Sequence, residues 1–82
     1  MRRRGHLRRA IVYYEEALRA APEDASLYLA VGDVHRRLGE HDEAATAFAR
    51  SLEQATEHGD IEMIEMAAKA QASLRDDERR SE

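Results

Sequence analysis

The sequence predicts an all-α fold of about four helices, joined by short turns into antiparallel pairs, and three observations predict it. Residues of like kind return after 34 positions: Gly5 and Gly39, Ala10 and Ala44, Tyr14 and Phe48, Ala17 and Ser51, Leu18 and Leu52. Between them, apolar residues recur at spacings of three and four, the period that lines one face of a helix. Aromatic residues make up only 5% of the chain while alanines recur throughout, so the side chains that strands favour are scarce.

Leu7, Ala10, Ile11, Tyr14, Ala17 and Leu18 place the first helix over about residues 6–20, entered from a turn at Gly5. Pro22 cannot continue it, because it lacks an amide proton and its ring clashes with the preceding turn. Asp24 can then cap a second helix over 25–38, whose apolar face is Leu27, Tyr28, Val31, Val34 and Leu38 and which Gly39 closes. The third helix starts near Asp42, where Asp42 and Glu43 suit the positive end of its dipole, and carries Ala44, Ala45, Phe48, Leu52 and Ala55. His58-Gly59-Asp60 reads as stop, turn and cap. A fourth helix over 61–76 sets Met63, Met66, Ala67, Ala70 and Leu74 on one face, and residues 77–82 read as a flexible polar tail.

Ala10-Ile11-Val12-Tyr13-Tyr14-Glu15-Glu16-Ala17-Leu18, followed by Pro22, resembles the second helix and closing turn of a tetratricopeptide repeat. Tyr28, Val31, Gly32, Gly39, Asp42-Glu43-Ala44 and Phe48 resemble one complete repeat. The resemblance implies a right-handed α-solenoid fragment over residues 1–76: a half repeat (5–23), a full repeat (24–57) and a second half repeat (60–76). The physical basis of the pattern is close approach: Gly32 and Ala44 are expected to meet where the second and third helices converge, with Tyr14 and Phe48 filling the space between successive pairs. His35, Ser51 and Thr56 depart from the signature, which has an aromatic, a small apolar residue and a proline at those places.

Catalytic and metal chemistry find little support. There is no cysteine, hence no disulfide and no thiolate ligand or nucleophile. His6, His35, His41 and His58 are not paired with another ligand at the i, i+4 spacing of a helical zinc motif. With no glycine-rich phosphate loop or serine elbow either, no catalytic residue, metal, cofactor or small-molecule substrate is expected. No apolar run approaches the ~18–20 residues of a membrane span, and a cytoplasmic protein is expected.

Charge is unevenly placed. Residues 1–20 hold six arginines (Arg2, Arg3, Arg4, Arg8, Arg9, Arg19) against two glutamates, a net +4, which leaves −8 for the rest of a chain whose total is −4. Such a cluster could neutralise nucleic-acid or membrane phosphates. It lacks the interleaved aromatics that stack bases, and the acidic remainder repels a polyanion, so this is the third reading.

The leading reading is a module that binds a protein or peptide partner. The resemblance implies a concave face bearing Ser26, Leu29, Asp33, Arg36 and Arg37 on the second helix and Ile61, Ile64, Ala68 and Gln71 on the fourth. Leu29 and Asp33 stand where the family's lysine and asparagine clamp for a terminal carboxylate would be, so that ligand is not expected. The alternative is a self-assembling structural module, a homo-oligomer joined through Leu7, Ile11, Tyr14, Ile61 and Ile64.

Overall fold

A computed structural model describes residues 2–81. It contains α1 (Arg2–Ala20), α2 (Ala25–Arg37), α3 (His41–His58) and α4 (Ile61–Ser81), with no strand among the described residues. Each helix runs antiparallel to the one before it, so α2 and α4 are parallel, and α4 also touches α2. The result is a slab of about 37 × 29 × 16 Å.

The turns follow from their residues. Asp24 caps α2, its carboxylate accepting from the amides of Ser26 (2.9 Å) and Leu27 (3.4 Å). The Ser26 hydroxyl also donates to it, and these bonds hold the Asp24 carboxyl below its usual range. Gly39 and Gly59 adopt φ of 79° and 66°, the left-handed conformation that closes α2 and α3 and that other residues resist. The Tyr28 hydroxyl donates to the carbonyl of Pro22 at 2.8 Å, fixing the α1–α2 turn from the outside.

Two apolar clusters hold the slab together. Ile11, Val34 and Leu38, with Leu7, Ala10 and Tyr14 packed against them, join α1 to α2. Ala44, Phe48 and Leu74, with Leu29 and Ala70, join α2, α3 and α4. Among the described residues, Phe48 is the one large apolar side chain with almost no exposed surface. Ser51, also fully enclosed, donates its hydroxyl to the Ala25 carbonyl at 2.8 Å, which removes the cost of burying a polar group on this face of α3.

Three expectations are corrected. Gly5 is no turn: it lies within α1, which begins at Arg2, and an added Cβ there would meet nothing within 4 Å. The fourth helix does not stop near residue 76 but continues to Ser81, because Asp77, assigned to the tail, accepts from Nε of Arg36 on α2 at 2.6 Å; Glu82 lies outside the described residues. The atoms nearest to Gly32's missing Cβ belong to Phe48, not Ala44: a Cβ there would stand 2.5 Å from Cδ1 and Cε1 of that ring, which lies one turn along α3 from Ala44.

A polar clasp ties α1 to the α2–α3 turn. The Arg8 guanidinium pairs with Glu40, and His35 Nδ1 lies 2.8 Å from the same carboxylate. The Arg8 bond first, then the His35 bond, holds the Glu40 carboxyl below its usual range. The unfolded chain therefore takes up that proton at higher pH than the folded chain does. Stability is expected to fall as the pH drops through and below the ordinary carboxylate range, and Glu40→Gln should shallow that acid limb. Chemical denaturation of both proteins at neutral and acid pH checks this.

Candidate functional site

Because α2 and α4 run parallel without meeting along their whole length, they leave a cleft between them of about 590 Å³. Its floor and walls are apolar: Leu29 and Ala30 from α2, Phe48 from α3 beneath, and Met63, Met66 and Ala70 from α4. The lips are polar, with Ser26, Asp33 and Arg36 on one side and Lys69 and Ser73 on the other. The volume falls within the ~300–1,000 Å³ common for ligand pockets.

The charged groups at the cleft are largely committed. Arg36 donates to Asp77 and joins the two walls; the bond holds the Asp77 carboxyl below, and the Arg36 guanidinium above, its usual range. Asp33 pairs with Arg37 one turn on, at 3.2 Å. Lys69 has no carboxylate within ion-pair distance among the described residues.

Of the nine residues expected to line the concave face, Ser26, Leu29, Asp33 and Arg36 line the cleft. Arg37 does not; it is exposed and pairs with Asp33. The four on α4 lie outside the cleft. Ala67 and Leu74 are the buried line of that helix, and at about 100° per residue this turns Met63, Met66, Ala70 and Ser73 toward α2. Ile61, Ile64 and Ala68 then lie on the opposite flank, and Gln71 lines a separate recess with Ala45, Leu74, Arg75 and Glu78 against α3. The signal that could have fixed the rotation is the seven-residue step from Ala67 to Leu74, which marks the line meeting α3.

Of the residues expected at an oligomer contact, those on α1 are packed within the chain. Ile11 is only 6% exposed and packs on Val34 and Leu38, with Leu7 and Tyr14 beside it, so α2 already covers that stripe. Among the described residues, the large apolar ones left open are Val12 and Tyr13 on α1 and Ile61 and Met66 on α4, with Ile64 half-buried. In the arginine run, the side chains of Arg2 and Arg3 lie outside the described residues; Arg4 donates to the Leu38 carbonyl at 3.3 Å and Arg8 serves the Glu40 clasp. Among the described residues no three His, Asp or Glu side chains gather as a metal site, and no helix is long and apolar enough to cross a membrane.

A second recess, of about 440 Å³, opens on the other face over Leu18, Val31 and Ala47, between Glu15 of α1 and Asp42 and Glu43 of α3. A family model described as tetratricopeptide repeat matches residues 2–59. No curated protein and no solved structure matches the chain.

Proposed function

This chain belongs to the tetratricopeptide repeat family, and we propose on that premise that it is a binding module holding a peptide or protein segment in the cleft between α2 and α4. Repeats of this family generally mediate protein–protein interaction. The observation that supports the cleft as the place is its make-up, an apolar floor between two parallel helices with polar lips and with its walls joined by the Arg36–Asp77 pair. In this reading the chain has no catalytic role and works in the cytoplasm.

Met66 is the cleaner probe of the cleft, because it is 51% exposed and the fold does not depend on it, whereas reversing Arg36 would also part the walls. Met66→Glu should lower affinity for a captured partner about tenfold or more, the loss expected when one large apolar side chain no longer finds a dry contact. Calorimetric titration of the partner against Met66→Glu and against Val12→Glu, on the far helix, makes the comparison. Equal affinity for both variants would remove the cleft as the binding surface.

Self-association is a second reading, favoured by Ile61, which is 69% exposed on the flank of α4 turned away from α2, with Ile64 beside it. Sedimentation at micromolar concentration should give a mass above the 9.3 kDa of one chain, and Ile61→Glu should restore the monomer. A folded wild type that stays strictly monomeric overturns this reading.

A further inference from the structure

We infer that the cleft selects an amphipathic helical peptide that sets large apolar side chains on its floor and acidic side chains along the α4 lip. The inference rests on the binding role proposed above and adds the chemistry of the ligand. Met63 and Met66 are unbranched and polarizable, so the α4 wall adapts to the shape of an apolar anchor instead of prescribing it. Selectivity must then come from the lips.

The charges there are unequal in availability. Asp33 is satisfied by Arg37 and Arg36 by Asp77, so each pair is neutral before any ligand arrives. Lys69, on the lip and exposed, has no such partner among the described residues. The lining thus presents one uncompensated positive charge beside an apolar floor, although the chain as a whole is negative at −4. A carboxylate on the rim of a bound helix would meet it. A lysine in the same place would meet like charge and, at longer range, no free acid of the lining. Ser26 and Ser73, at opposite ends of the cleft, add neutral hydrogen-bonding groups that do not discriminate by charge.

The test uses two fluorescently labelled peptides of about 20 residues, above the ~12–15 below which an isolated helix is marginal. Both carry leucines at i, i+3, i+4 and i+7; one flanks them with glutamates and the other with lysines. Fluorescence anisotropy at low ionic strength should show the glutamate peptide binding wild type roughly two- to fivefold more tightly, the scale of one exposed ion pair, with the difference fading as salt is added. Lys69→Glu, at an exposed position, should reverse the order while circular dichroism stays unchanged. The inference is overturned if both peptides bind wild type equally and Lys69→Glu alters neither, while Met66→Glu weakens both; the cleft would then bind without reading charge. If Met66→Glu weakens neither peptide, or neither binds, the cleft fails as the binding surface and this inference fails with it.

Discussion

Replacing Phe48 with alanine is expected to remove at least about a quarter of the chain's stability. A protein of this size has roughly 4–12 kcal/mol of stability in total, at about 0.05–0.15 kcal/mol per residue. Removing a fully buried aromatic ring costs about 3–5 kcal/mol when the surroundings cannot collapse into the space. They cannot collapse well here, because the ring lies over Gly32, which has no side chain to move, and beside Ala44 and Ala70, which have only methyl groups. Leu29 and Leu74 would be left facing a void. A fall in Tm of about 12 °C or more follows, taking ~4 °C per kcal/mol as the lower limit for a domain of this length. Thermal denaturation followed by circular dichroism measures it, and a shift of only a few degrees would show that Phe48 is not the keystone of the α2–α3–α4 cluster.

Gly32→Leu should damage the same place from the other side. The first added carbon would already stand 2.5 Å from two ring carbons of Phe48, well inside van der Waals contact, so the ring or the helix must shift. Overpacking of this kind costs about 1–3 kcal/mol, and the upper part of that range applies because the ring is only 1% exposed. The two sites should couple strongly. Gly32→Ala combined with Phe48→Leu should be less destabilised than the sum of the single changes, since the smaller side chain removes the clash. Strict additivity in urea denaturation would mean that the ring does not rest on Gly32.

The order and type of the helices were legible because each boundary is marked by a residue with a backbone reason. Pro22 stops α1, Asp24 caps α2, and Gly39 and Gly59 supply the left-handed closures. Half of the cleft was legible for the same reason, since α2 belongs to a complete repeat and its rotation is fixed on both sides. The rotation of α4 was not. Its apolar residues spread around more than one face, and two placements, Ile61–Ile64–Ala68 inward or Met63–Met66–Ala70 inward, satisfy the pattern about equally until Ala67 and Leu74 are seen against α3. The stripe Leu7–Ile11–Tyr14 shows a related ambiguity: periodicity says that it must be covered but not by which neighbour, and the neighbour is α2. The Arg36–Asp77 pair spans 41 positions and has no local signature at all.

Among the described residues, helix α1 packs against α2 alone of the helices, whereas α2, α3 and α4 each touch the other two. Opening of this protein need not be all-or-none: α1 can swing away after the loss of one cluster and the Glu40 clasp, at a free-energy cost below that of global unfolding. Such a partly open state would wet Val34 and Leu38 on the back of α2 yet leave Phe48 and both walls of the cleft in place. Melting of the N-terminal quarter and loss of the ligand surface are thereby separate events.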